Sequence, residues 1–278
     1  MSAAPDIIIC DAQVHAPRHP HIGLVEGIDG DDLLIEMDEA GVDQCVLVPL
    51  EHPGGDEMAS NVDAMELAAS HPSRFAVMGC FELSRRDNVA LLPTWKAPGM
   101  LGARVSFVRD PNRGLLATDD LEWFWSAAEA ADIPLMVLVP ELVDKVAGIA
   151  SRHPGLRLIV DHLALTPHVR YDDLGPSIAQ LAPLAKYPNV AVKASALPCS
   201  VPEPFPFPSL REPLARVMDW FGPHRVFWGS DLTRLPCSYI ELVRFFRDEL
   251  QYPSATARTL VLGAGLLKWL AWNPAPVT

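Results

Sequence analysis

The sequence predicts an α/β protein with a (β/α)8 TIM barrel, and three observations support this fold. Short apolar runs recur along the 278 residues, with helix-like segments between most of them. Most of these runs are rich in Val, Ile and Leu, which is typical of parallel strands buried on both faces. Eight strand–helix units in about 250 residues match such a barrel in number and size. We expect residues 1–278 to form one domain of this kind.

The elements follow from the apolar runs in chain order. The predicted strands are residues 7–10, 44–49, 75–81, 101–107, 134–139, 156–161, 190–195 and 225–230. The predicted helices are residues 31–40, 61–70, 121–131, 141–152, 177–186, 213–221 and 239–249, with a weaker segment at 88–97. Gly41 stands where the first helix would stop. A doubly wound sheet is the alternative, but no glycine-rich phosphate loop follows any predicted strand.

Charge and composition exclude several classes of partner. The chain carries 22 basic and 35 acidic residues, a net charge of −13, which argues against nucleic acid or an anionic membrane surface. A local arginine can still bind an anionic small molecule. The five cysteines form no metal-binding spacing, and no window of 18 apolar residues exists. We therefore expect a cytoplasmic protein with reduced thiols and no membrane partner.

Acid–base residues stand at the ends of three distant strands. Asp11 and His15 follow the first predicted strand, Asp161 and His162 end the sixth, and Asp231 ends the eighth. Parallel strands of one barrel direct their carboxyl ends at a shared pocket. These residues are therefore predicted to line one active site.

Four short motifs carry a resemblance to a known family. They are Asp-x-x-x-His at 11–15, Asp-His-Leu at 161–163, Val-Lys-x-Ser at 192–195 and Gly-Ser-Asp at 229–231. Together they resemble the amidohydrolase-related (amidohydrolase 2) family, and most closely its 2-pyrone-4,6-dicarboxylate lactonase and sugar-lactonase branch. The likeness covers roughly residues 6–272. It implies an amidohydrolase-like barrel with hydrolytic chemistry, and it specifies the fold better than the substrate.

The sequence departs from this family at the metal ligands. Members that hold a divalent metal usually carry His-x-His on strand 1, a histidine on strand 5 and the strand-8 aspartate. Here Gln13 stands at the first histidine position, and the fifth predicted strand has no histidine. A glutamine amide is a poor Zn²⁺ ligand. We therefore expect no metal cofactor, and leave open a divalent metal, Zn or Mn, held by His15, Asp231 and His162.

The predicted reaction is the addition of water to a carbonyl carbon, most simply the opening of a lactone. The resemblance implies Asp231 as general base, with His15 and His162 polarising the carbonyl. Asp161 is expected to orient the His162 ring and to favour its imidazolium form. The other candidates are Gln13 as an amide donor to the carbonyl, Arg104 as a grip on a substrate carboxylate or a salt-bridge partner, Lys193 as an ion-pair partner or substrate contact, and His52 and Glu82 as further pocket residues.

Three other functions are compatible with the sequence. Two are enzymes of the same barrel family, a metal-dependent decarboxylase and an amide hydrolase. A degenerate barrel that binds a small acid without catalysis would explain the missing histidines, although it would not explain why Asp231, His15 and His162 are retained. The expected partner is a small molecule, a lactone bearing a carboxylate, and a homo-oligomer is compatible with the sequence.

Overall fold

The computed structural model describes residues 7–18, 27–50, 58–166 and 169–274, and its centre is one sheet of eight parallel strands. Each strand pairs with the next in chain order. This arrangement confirms the predicted barrel. The strands are β1 (Cys10–Val14), β2 (Gln44–Leu47), β3 (Phe75–Cys80), β4 (Met100–Ser106), β5 (Leu135–Leu138), β6 (Leu158–Val160), β7 (Val190–Ser195) and β8 (Val226–Gly229).

Helices connect the strands. They are α1 (Gly30–Ala40), α2 (Ser60–Ser70), α3 (Asn112–Ala117), α4 (Glu122–Ala130), α5 (Val143–Arg152), α6 (Gly175–Ala179), α7 (Arg211–Phe221), α8 (Tyr239–Arg244), α9 (Ala255–Thr259) and α10 (Gly265–Leu270). The predicted helix at 177–186 is divided into α6 and a 3₁₀ turn at Ala182–Lys186, because Pro183 has no backbone N–H to continue the α-helix. No helix among the described residues is long and apolar enough to cross a membrane.

The first strand lies further along the chain than predicted. β1 begins at Cys10, where the predicted strand ended, and it includes two polar residues, Asp11 and Gln13. Both side chains are fully buried. Burial of polar groups is tolerated because each is hydrogen-bonded inside the protein.

Two apolar clusters hold the barrel together. One lies between the strands and the surrounding helices, and it includes Trp228, whose Nε1 donates to the carbonyl of Leu262 at 2.7 Å. The other fills the barrel interior with alternate residues such as Met78 and Ile159, and α10 packs against it through Leu266. Packed side chains thus fill one end of the barrel, and polar residues occupy the end where the strands finish.

A buried carboxylate bridges the seam between β8 and β1. Asp11 Oδ1 accepts the backbone N–H of Ser230 at 2.8 Å, and Oδ2 accepts the Tyr239 hydroxyl of α8 at 2.7 Å. The backbone N–H of Asp231 also donates to the carbonyl of Gln13 at 2.9 Å. Burial raises the pKa of Asp11, although these donors oppose the shift. The seam therefore positions the two residues that follow β8 relative to β1.

Candidate active site

The backbone is strained just beyond the ends of three strands. His162, Ala196 and Asp231, which follow β6, β7 and β8, have φ values of 51°, 56° and 56°. Non-glycine residues in this left-handed region cost about 1–3 kcal/mol each, and such residues cluster at functional sites. These are three of the ten non-glycine residues with positive φ among the described residues, and they place strained backbone at the carboxyl end of the barrel.

A cavity of about 250 Å³ opens at this end. Its walls combine acid–base, cationic and apolar side chains from several strands and the loops that follow them. The lining residues are His15, Arg104, Leu138, His162, Leu165, Thr166, Arg170, Ser195, Ala196, Cys199, Ser200, Asp231, Arg234 and Pro236.

Asp231 and His15 form a buried ion pair in the cavity wall. His15 Nε2 lies 3.0 Å from Asp231 Oδ1, and His15 Nδ1 lies 2.7 Å from the carbonyl oxygen of Val48. Because a carbonyl only accepts, Nδ1 carries a hydrogen, and Nε2 needs a second one to face a carboxylate. Burial opposes ionisation of Asp231, but the charge and hydrogen bond of His15, together with the charge of Arg234 3.5 Å away, outweigh it and hold the pKa of Asp231 well below its usual range. His15 is thus a cation donating to an ionised Asp231.

His162 is neutral. Burial lowers its pKa to about 4, although Asp231 and Asp161 oppose that shift. Its Nδ1 lies 2.8 Å from the Ser195 hydroxyl and 3.3 Å from the Ser195 carbonyl oxygen. The expectation that Asp161 orients this ring is wrong, because Ser195 holds Nδ1 and Asp161 pairs with Arg104 and Lys193. The charge of Asp161 does favour the imidazolium form, as expected, but burial outweighs it.

Gln13 lies behind these three residues. Its Nε2 is 3.2 Å from Asp231 Oδ1 and 3.4 Å from the Nε2 atoms of both His162 and His15. Since His15 Nε2 is itself a donor, the two amide hydrogens face Asp231 and His162. His162 Nε2 is then an acceptor, which agrees with a neutral ring protonated on Nδ1. Gln13 is fully buried and does not line the cavity, so its amide contacts the catalytic candidates from their buried side.

A second group of charges lies beside this site. Asp161 is fully buried, and its two oxygens lie 2.7 Å from Lys193 Nζ and 3.3 Å from Arg104 Nε. Burial raises the pKa of Asp161, but the two cations outweigh it and the net shift is downward. Arg104 both pairs with this carboxylate and lines the cavity. Lys193 is fully buried, which fits its predicted ion-pair role and leaves it no direct contact with the cavity.

Of the two remaining candidates, the structure places Glu82 away from the cavity, and it brings other residues to the cavity wall. Glu82 accepts a hydrogen bond from Ser84 and does not line the cavity, and His52 lies outside the described residues. Ser195 and two arginines line the cavity without having been predicted to do so: Arg170 from the loop after β6, and Arg234 from the turn after β8. Ser195 closes the Val-Lys-x-Ser motif, so its position at a strand end could have signalled its role. Arg170 carries no such signal.

A barrel with its acid–base groups at the carboxyl ends of the strands has the architecture of barrel enzymes. The amidohydrolase family pattern matches residues 26–268, and the chain belongs to this family. It is 35% identical over 168 residues to L-fucono-1,5-lactonase of Burkholderia ambifaria. That match spans 53% of this chain and 57% of the relative, so the chain matches little more than half of the relative's length.

Solved structures share the fold at low sequence identity. A zinc-bound amidohydrolase from Burkholderia multivorans superposes with a TM-score of 0.77 at 22% identity, covering 95% of this chain and 99% of that one. A probable 2-pyrone-4,6-dicarboxylic acid hydrolase from Acinetobacter baumannii, with citric acid bound, superposes with a TM-score of 0.71 at 15% identity. This match also covers 95% of this chain and 99% of that one. These likenesses confirm the barrel. The family assignment and the curated relative support the predicted lactonase-related branch.

The residues present do not fit a divalent metal in this arrangement. Such a metal needs neutral imidazoles and carboxylates whose lone pairs converge on one position. Here His15 Nε2 donates to Asp231, and the Gln13 amide faces Asp231 and His162 from the same space. In the part of the chain that the structure describes, no group of three His, Cys, Asp or Glu residues is arranged to hold a metal.

Proposed function

We propose that the protein is a hydrolase that opens a lactone of a small organic acid by adding water to its carbonyl carbon. The observation that carries this proposal is the convergence of Asp231, His15 and His162 on one cavity. Membership of the amidohydrolase family and the likeness to an L-fucono-1,5-lactonase support the reaction class.

The attacking water would lie between two acceptors. Asp231 Oδ2 and His162 Nε2 are 4.0 Å apart, which is too far for a direct hydrogen bond. One water can donate to both atoms, replacing the long 3.4 Å contact of Gln13 Nε2 at the single lone pair of His162 Nε2. Asp231 takes a proton from this water as the water oxygen bonds to the carbonyl carbon. The ester C–O bond then breaks, and Asp231 returns the proton to the leaving alkoxide. One water is consumed and one ester bond is cleaved.

His15 would stabilise the charge that develops on the carbonyl oxygen. It lines the cavity and carries a hydrogen on Nε2, so it is a buried positive donor that the ion pair holds in place. As the oxyanion forms, the oxyanion competes with Asp231 for the hydrogen on His15 Nε2. A weaker hydrogen bond from His15 raises the basicity of Asp231 at the moment when Asp231 must accept a proton.

The cavity favours an acidic substrate. Three arginines line it, Arg104, Arg170 and Arg234, and Asp231 is the single carboxylate among its described lining residues. This local excess of positive charge contrasts with the net charge of −13 of the whole chain. Guanidinium groups bind carboxylates through paired hydrogen bonds, so a lactone that bears a carboxylate is the preferred substrate.

The test is turnover of a panel of sugar-acid lactones, carboxylate-bearing lactones and the corresponding amides, with and without a chelator. Asp231→Asn should lower kcat by about 10²–10⁴-fold. The same substitution at the exposed Asp248, which pairs with Arg247, should leave kcat unchanged. Turnover of the amides alone would indicate an amide hydrolase. Activity that appears only with added Zn²⁺ or Mn²⁺ would favour a metal-dependent enzyme, and tight binding of a small acid without turnover would favour a non-catalytic barrel.

A further inference from the structure

We propose that Gln13 and Lys193, buried beneath the cavity, together take the place of a divalent metal, with Lys193 as the residue that orients the Gln13 amide. The effect on catalysis rests on the proposed function, whereas the effect on metal binding does not.

The orientation of the amide follows from its partners. Lys193 Nζ lies 2.5 Å from Gln13 Oε1, and an ammonium group can only donate. The amide oxygen must therefore face Lys193, and the NH₂ group must face Asp231 and His162. Without Lys193, the amide could turn over and present its oxygen to the Asp231 carboxylate, which would be repulsive.

Lys193 can remain charged at this depth because of Asp161. Burial lowers the pKa of Lys193, but Asp161 Oδ1 at 2.7 Å opposes that shift. Asp161 also pairs with Arg104, so two cations share one carboxylate and the group carries a net positive charge. One hydrogen bond connects this charge to the Gln13 amide.

Hydrogen-bond donors therefore occupy the space in which a metal ion would need ligands with free lone pairs. Gln13 supplies N–H groups to Asp231 Oδ1 and His162 Nε2, and the ammonium of Lys193 stands behind it. A cation between these atoms would meet amide hydrogens and a second positive charge. The same pair keeps His162 Nε2 as an acceptor and supports the ionised form of Asp231, which are the states that water activation needs.

Gln13→Glu tests the effect on metal binding, because it exchanges the amide NH₂ for an oxygen of nearly the same size. Titration with ZnCl₂, followed by calorimetry and by metal content after dialysis, should show no stoichiometric Zn²⁺ in the wild type. The variant should bind one Zn²⁺ at least about 100-fold more tightly, because a donor has become a ligand. Gln180→Glu makes the same charge change on the surface and should behave like the wild type. One tightly bound Zn²⁺ in the wild type, or no gain in a folded Gln13→Glu variant, would overturn the proposal.

Lys193→Met tests whether Lys193 orients the Gln13 amide. Its kinetics are measured with the lactone that the wild type turns over best in the panel described under the proposed function. It should lower kcat at least about 10-fold with KM little changed, because the Gln13 amide is then free to turn its oxygen towards Asp231. Lys145→Met, which removes a more exposed ammonium, should change neither quantity. A folded Lys193→Met variant with unchanged kcat would refute the positioning role. If no lactone is turned over, the proposed function fails. The zinc titration still decides whether Gln13 prevents metal binding.

Discussion

Removal of the Tyr239 hydroxyl should destabilise the protein more than removal of a comparable hydroxyl elsewhere. Tyr239 donates at 2.7 Å to Asp11 Oδ2, and both side chains are buried. Tyr239→Phe leaves one oxygen of a buried carboxylate without this partner. Hydrogen bonds to charged groups contribute about 1.5–3 kcal/mol, so we expect a loss of about 2 kcal/mol in the free energy of unfolding.

Tyr252→Phe is the matched control. The Tyr252 hydroxyl also donates at 2.7 Å, but to the neutral carbonyl of Phe246. A bond between neutral groups contributes about 0.5–1.5 kcal/mol. Urea unfolding of the wild type and both variants, followed by circular dichroism at pH 8, measures the two losses side by side. Equal losses would refute the inference that Asp11 is an ionised bridge across the seam.

The pH dependence provides a second check on the same variant. The Tyr239 hydrogen bond lowers the pKa of Asp11, so its removal raises this pKa further above the unfolded value. Ionisation of Asp11 then costs the variant more stability than it costs the wild type. The difference between the two proteins should therefore grow as pH rises through the Asp11 pKa and shrink in acid. A difference that is constant from pH 4 to pH 8 would contradict this account.

Three further predictions concern the site and the barrel. The pH–rate profile of the wild type should fall below an apparent pKa of about 4, because protonation of His162 removes the acceptor at Nε2, and His162→Asn should abolish this limb. Arg170→Gln should raise KM about 10-fold for an acidic lactone and leave KM for a neutral one unchanged. Gly102→Ala should lower the free energy of unfolding, measured in urea, by at least about 3 kcal/mol, because its Cβ would clash with the Pro134 carbonyl. Gly41→Ala has open space around its Cβ and should lose only about 1 kcal/mol, because its backbone is left-handed.

The sequence alone was sufficient for most of the fold. The apolar runs at 44–49, 75–81 and 190–195 contain β2, β3 and β7, because strands buried on both faces must be apolar along their length. The first strand was misplaced, since Asp11 and Gln13 interrupt its apolar pattern. Their partners Ser230, Tyr239 and Lys193 are 219, 228 and 180 residues away in the chain. Local periodicity holds no information about contacts at such separations.

The sequence by itself determined the barrel, the family and which strand ends carry acid–base residues, because these depend on local patterns of polarity and on short motifs. Only the tertiary structure decided what each residue does there. It turned Lys193 inward to Gln13, placed Ser195 instead of Asp161 against His162, and brought Arg170 to the cavity from a loop. The physical reason is that protonation and orientation depend on the nearest donors, acceptors and charges, which come together only when the barrel closes.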